Sequence, residues 1–172
     1  GRITQLKDYE SFIQAIGRCR KTLPNIVGLI VGGVHENRRN YYSSLQQSVK
    51  QEGLENHIVF AGSQSQMREI YALSDILVNA SLKMGNVGRT VSEALAMNVP
   101  VLATSFPGLK DIVVDGKNGF IIKVRDAENL ATRIIDLQAL GLQGVRESFA
   151  EEFTLDHMVK KNLLLYRELA AG

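Results

Sequence analysis

Cysteine is nearly absent: Cys19 is the only one among 172 residues. That excludes an internal disulfide and any cysteine-built metal cage, and it suits a reducing, cytoplasmic compartment. An excess of either charge is also missing. The formal net charge is +2, which gives no electrostatic case for nucleic acid as a partner. No apolar run approaches the ~20 residues of a membrane-spanning helix, and no signal peptide opens the chain. The three histidines, His35, His57 and His157, lie far apart. No His/Cys/Asp/Glu set has metal-ligand spacing. The Gly-x-Ser-x-Gly elbow, the P-loop and the Gly-x-Gly-x-x-Gly fingerprint are all missing, so nucleophilic and redox chemistry find little support.

What is present is ordinary globular composition, 45% hydrophobic and 22% charged, enough for one domain with a full core. Gly1-Arg2-Ile3-Thr4 reads as an abrupt entry into a fold, as expected of a domain cut from a longer protein. Extended and helical segments then alternate. Helices are expected over 8–20, 37–51, 63–73, 88–97 and 126–137, with a terminal helix over 154–171. Strands are expected over 26–31, 57–61, 75–79, 99–104 and 119–124, after an entering strand at the start. The 63–73 helix opens on a Ser-x-x-Gln that resembles a capping box. This order predicts an α/β, Rossmann-like fold: a parallel sheet with helices on both faces, built from right-handed βαβ units. Ligands of such sheets sit at the carboxyl ends of the strands. Those ends fall near Gly32-Gly33, Ala61-Gly62, Asn79-Ala80-Ser81 and Ala103-Thr104.

The segment Ser81 to Pro100 carries the most information. A strand ends, a glycine-containing loop turns, and a helix begins near Thr90. Unpaired amides at a helix start, with the positive end of its dipole, form an anion site. Gly88 lets the backbone come close to a phosphate. Glu93, one turn in, can accept two hydroxyl donors from a ribose diol. The competing reading is structural: Thr90 and Glu93 spell a Thr-x-x-Glu capping box that needs no ligand. Asn98 follows the helix, where a left-handed residue is often required. Near the start, Arg2 and Lys7 flank a short loop. Two cations there can neutralise a diphosphate, Arg bidentately, or stand as solvated surface charges.

Taken in order, these segments resemble the carboxy-terminal domain of the retaining glycosyltransferases of family 4, which have the two-domain GT-B fold. Gly1-Arg2 with Lys7 is similar to the family's opening. Ile30-Val31-Gly32-Gly33, Ile58-Val59-Phe60-Ala61-Gly62 and Ile70-Tyr71-Ala72-Leu73-Ser74-Asp75-Ile76-Leu77-Val78 follow. Gly88-Arg89-Thr90-Val91-Ser92-Glu93-Ala94-Leu95-Ala96 is similar to its Gly-Arg-Thr-x-x-Glu-Ala-Met-Ala helix. Val99-Pro100-Val101, Pro107-Gly108 through Val113, Asp115-Gly116 and Asn118-Gly119 complete the series. The resemblance implies a nucleotide-diphosphate sugar as donor, held without a metal or other cofactor. Arg2 and Lys7 would hold the diphosphate and act on the leaving group. Gly88 and the amides around Arg89 and Thr90 would cap it, Glu93 would bind the ribose, and the loop with Ser63 and Ser65 would face the base. The partner implied is an amino-terminal, acceptor-binding domain of the same protein, with peripheral membrane association of the whole protein as an option.

One departure stands out. The family usually has Glu-x7-Glu; Glu93 is the second, and Gly85 occupies the first position, with Asn86 beside it. Nucleotide binding therefore carries over better than sugar recognition. Two alternatives remain: a nucleotide-binding or regulatory module that has lost transfer, and a doubly wound NAD-type oxidoreductase domain. The second lacks the glycine fingerprint and the acidic residue that follows it.

Overall fold

The computed structural model describes residues 1–83, 87–148 and 153–171. Six helices and five strands follow in the order α1 (Tyr9–Cys19), β1 (Gly28–Val31), α2 (Arg39–Gln51), β2 (Ile58–Gly62), α3 (Met67–Ala72), β3 (Leu77–Asn79), α4 (Val87–Ala96), β4 (Val101–Thr104), β5 (Gly119–Ile122), α5 (Ala127–Leu140) and α6 (Leu155–Ala171). The α/β, Rossmann-like reading holds, and every strand pairing is parallel.

The single sheet expected from the alternation is in two pieces. β1 pairs with β2, and β3, β4 and β5 form a second sheet in that order. β3 is three residues long, and β4 takes its pairing. Between β1 and β3 lies a cavity of about 740 Å³, lined by Leu29 and Ile30 of β1, Leu77 and Val78 of β3, and Ile16 of α1. The helix layer bridges the gap. α1 packs on α5, and one apolar cluster runs from Ile30 and Ile58 through Ile13, Ile16, Leu130 and Ile134 to Leu102 and Ile122.

A second cluster occupies the other face, where Val91, Ala94 and Leu95 of α4 and Tyr71 of α3 meet Val101 and Ala103. β4 thus alternates between two cores, and all four of its residues are buried. This is why Val101-Leu102-Ala103 reads as a continuous apolar run. α5 buries Ala127, Leu130, Ala131, Ile134 and Leu137, and Asp126 caps the helix by accepting from the Asn129 amide at 2.8 Å. Asn98, after α4, has φ 63° as expected, and its Oδ1 accepts from the Arg146 amide at 3.1 Å.

Three boundaries are corrected. The helix expected from Ser63 starts only at Met67, and no side chain caps it. Gly62 turns the chain at φ 68°, and Gln64 folds back to donate to the Ala61 carbonyl, so the Ser-x-x-Gln segment is a loop. The entering strand is an extended stretch tied to β1 by two hydrogen bonds, Gly1 N to Val31 O and Ile3 N to Gly33 O. α4 starts at Val87, three residues before Thr90.

Candidate functional site

The N-terminal segment lies across the carboxyl end of β1. A Cβ on Gly32 would collide with the Gly1 carbonyl, so glycine there lets the two backbones touch. This seating brings Arg2 to the strand-end edge. Arg2 is exposed, and its guanidinium makes no hydrogen bond or ion pair among the described residues. Tyr9 buttresses the segment by donating to the Gly1 carbonyl at 2.8 Å; burial pushes its phenol up to about 12. A 3-10 turn at Gln5–Lys7 then directs Lys7 back towards Gly1, whose backbone packs on the lysine stem. Burial lowers the Lys7 ammonium pKa from its ordinary value, and the nearby Arg2 charge lowers it further. The two cations therefore share one locality.

From Lys7 a chain of side-chain hydrogen bonds runs to α4. Lys7 Nζ donates to Ser81 Oγ (3.0 Å), Ser81 Oγ donates to Asn79 Oδ1 (2.7 Å), and Asn79 Nδ2 donates to Thr90 Oγ1 (3.1 Å). The backbone here is pinned as well, by Leu82 N to Leu6 O at 2.8 Å and by Thr104 Oγ1 to Ser81 O at 2.8 Å. Lys7 is thus linked, through two intervening side chains, to Thr90 in the first turn of α4. A helix starting at Val87 leaves the amides of Val87, Gly88 and Arg89 without intrahelical partners. These amides overlap the set expected around Arg89 and Thr90 and lie where a helix start can face an anion; the Thr90 hydroxyl accepts from Asn79. A Cβ at Gly88 would meet open space, which leaves room for a ligand against the backbone. Arg89 is exposed and makes no hydrogen bond or ion pair among the described residues.

The Thr-x-x-Glu capping box does not form. Thr90 lies inside the helix and is engaged by Asn79, while Glu93 accepts from the Tyr71 hydroxyl at Oε2 (2.7 Å). Tyr71 is 3% exposed; burial and the Glu93 carboxylate both raise its pKa. Glu93 itself is exposed, one turn beyond the amide set. Its carboxylate is held at one oxygen and keeps acceptor capacity at the other.

Ser63 stands against Gly33, 3.6 Å from where that glycine's Cβ would be, on the same edge as the N-terminal segment. Ser65 is exposed in the loop and joined to the others by no hydrogen bond among the described residues. Gly85 and Asn86 lie outside the described residues. His35 pairs with Asn37, and His57 with the Ile26 carbonyl, both through Nδ1; neither joins the site. Among the described residues no group of three His, Cys, Asp or Glu side chains is placed to hold a metal ion.

The sequence reading missed Asn79, Ser81, Thr104 and Tyr71 as parts of this arrangement. Polar Asn79 and Ser81 at the end of an apolar strand were the available signal.

Lys7 and the start of α4 are linked at the strand ends, the edge where ligands of α/β sheets bind. Residues 1–152 match the model for glycosyl transferases group 1, and the chain belongs to that family. It is 30% identical over 162 residues to EpsD of Bacillus subtilis, a provisionally named glycosyltransferase, covering 88% of this chain and 41% of EpsD. The crystal structure of Anabaena HepE in complex with UDP and glucose superposes with a TM-score of 0.85 at 23% identity, covering 100% of this chain and 47% of HepE. The C-terminal domain of LpcC, a glycosyl transferase group 1 family protein of Francisella tularensis, gives a TM-score of 0.77 at 29% identity, covering 86% of this chain and 80% of that one. The chain thus spans less than half the length of EpsD and HepE.

Proposed function

We propose that this chain is the donor-binding, carboxy-terminal half of a retaining family 4 glycosyltransferase with the GT-B architecture. Arg2, Lys7 and the amides of Val87, Gly88 and Arg89 grip the diphosphate of a nucleotide sugar. Thr90 supports them, Glu93 binds the ribose, and the Ser63–Ser65 loop faces the base. The observation that carries this reading is the chain of hydrogen bonds that links Lys7 through Ser81 and Asn79 to Thr90 in the first turn of α4.

In the reaction, the bond between the anomeric carbon and the diphosphate oxygen breaks and negative charge grows on the departing phosphate. Two cations and a helix start placed beforehand stabilise that charge as it develops. No metal ion is needed for this role, and the proposed setting is cytoplasmic. The acceptor and the opposite cleft wall come from a second domain, whose closure completes the site. The HepE complex with UDP and glucose and the separately folded C-terminal domain of LpcC support the donor and the placement.

The apolar residues exposed on α6, among them Leu155, Met158, Val159, Leu163 and Leu169, face that second domain. No helix among the described residues is long and apolar enough to cross a membrane; peripheral membrane association of the whole protein is part of the proposal. A glycine at position 85, where the family has its first glutamate, favours a second reading, a nucleotide-binding module without transfer.

The test is to incubate the 172-residue chain with UDP, GDP and NAD, and separately with nucleotide sugars and a panel of acceptors. Weak nucleoside-diphosphate binding without turnover is expected, because near-attack geometry is lost with half the cleft. Robust turnover by this chain alone would place the acceptor site within it and overturn the division of labour. Preference for NAD would overturn the donor reading. Transfer by the full-length protein separates the enzyme from the module.

A further inference from the structure

We propose that Asn79 and Ser81 are positioning residues: a buried polar relay that fixes the Lys7 ammonium relative to the first turn of α4, so that cation and helix start act on one diphosphate. The proposal rests on the donor-site reading above and assigns residues that reading leaves unused.

Asn79 and Ser81 are 7% and 2% exposed, at the end of a strand that is otherwise apolar. Polar side chains buried in such a place are costly unless all their groups are satisfied. Here they are satisfied in one direction. The ammonium donates to Ser81, Ser81 to the Asn79 carbonyl oxygen, and the Asn79 amide group to Thr90. Each member accepts from the residue before it and donates to the residue after it. A hydroxyl at 81 and a carboxamide at 79 do this without adding charge.

Thr104, fully buried, donates its hydroxyl proton chiefly to Ser81 O at 2.8 Å, with Asn79 O a longer, shared contact at 3.4 Å. The relay cannot drift without moving β4. Both of its ends lie on groups at the strand-end surface, and the cavity between the sheets is lined by Lys7, Asn79 and Thr90 together. One of the three ammonium donors is spent on Ser81, which sets the direction of the other two. A purely structural plug would need neither the lysine nor the threonine.

The experiment measures UDP and GDP affinity by calorimetry, with melting temperature in parallel, for Ser81→Ala, Ser81→Thr, Asn79→Leu, Asn79→Asp and Lys7→Met. Ser81→Ala and Asn79→Leu are expected to weaken binding on the order of tenfold, the scale of one hydrogen bond to a charged group. Ser81→Thr keeps the hydroxyl and should restore affinity. Asn79→Asp keeps the acceptor for Ser81, loses the donor to Thr90 and adds negative charge, so it should bind worst of the Asn79 pair.

A second readout does not follow from packing. Ser81→Ala removes a partner of the charged lysine, so the alkaline fall in affinity due to Lys7 should move to lower pH. If Ser81→Ala and Asn79→Leu bind like the unmodified chain while Lys7→Met does not, the relay is wrong and the donor site stands. If Lys7→Met also binds unchanged, the donor-site reading fails and takes the relay with it. An Asn79→Leu chain that does not fold leaves the decision to Ser81→Ala, whose unchanged affinity and pH profile would be enough to overturn the proposal.

Discussion

The Tyr71 hydroxyl holds one oxygen of Glu93 at 2.7 Å, so a side chain buried under α3 aims a carboxylate exposed on α4. Replacing Tyr71 by Phe removes the aim and leaves the carboxylate. Nucleoside diphosphate affinity is expected to fall by about 1 kcal/mol, the usual scale of a single hydrogen bond. The same substitution should change little for an analogue lacking the ribose hydroxyls. Calorimetry with both ligands checks this; equal losses for the two would remove ribose from the role of Glu93.

Glu93→Gln tests the carboxylate directly. No capping box is lost, because none is formed, and the amide oxygen can still accept from Tyr71. A clear loss of nucleotide affinity with a nearly unchanged melting temperature is expected. A stability loss with unchanged affinity would make Glu93 a structural residue.

Arg2→Ala or Lys7→Ala should each weaken diphosphate binding by about 1.5–3 kcal/mol, the scale of a hydrogen bond to a charged group. Lys7 adds a pH signature. Its pKa in the folded chain is lowered by burial and by Arg2, so the folded chain sheds that proton before the unfolded chain does. Between the two pKa values the unfolded state holds more protons, and stability from this group rises with pH there. Bound diphosphate favours the charged ammonium, so binding should take up protons and weaken as pH rises, starting below the ordinary lysine range. Lys7→Arg should abolish that alkaline fall. Calorimetry in two buffers of different ionisation enthalpy measures the uptake; no uptake in that range would exclude Lys7 from the site.

Asn98 supplies a stability control away from the ligand. Asn98→Ala forces φ 63° on a residue that avoids it, a cost of about 1–2 kcal/mol, and drops the acceptor for the Arg146 amide. Asn98→Gly keeps the backbone freedom and loses only the acceptor. Thermal denaturation should rank the unmodified chain above Gly and Gly above Ala, with nucleotide affinity unchanged in all three.

Asn98 was legible because its requirement is local, a left-handed residue after a helix. The alternation of β1 to β5 with their helices was legible for the same reason: periodicity records which face each residue buries. Lys7 and Thr90 could be placed near strand ends by topology. Their connection could not, because it depends on where Asn79 and Ser81 point after β3, and no periodic pattern reports that. The capping-box reading failed at Thr90 for a related reason. A four-residue motif carries no information on whether the helix has already begun, and here it begins at Val87. The gap between β1 and β3 was equally invisible, since the apolar content of each strand fits a paired edge and an open one alike.

That gap leaves the domain two sheet plates that share one core, with α1 packed on α5, but no ladder. Among the described residues β1 and β2 share no ladder hydrogen bond with β3 to β5, and near the site Lys7–Ser81, Leu6–Leu82 and Asp8–Arg125 are hydrogen bonds that span them. Amide protons of the two ladders should therefore open to solvent with different free energies, while the shared core couples them. Arg2 rides on the β1 plate and α4 on the β3 plate, so a diphosphate gripped by both acts as a rivet. Its binding should slow exchange in β1, β2, β3 and β4 together, although it touches none of their ladders.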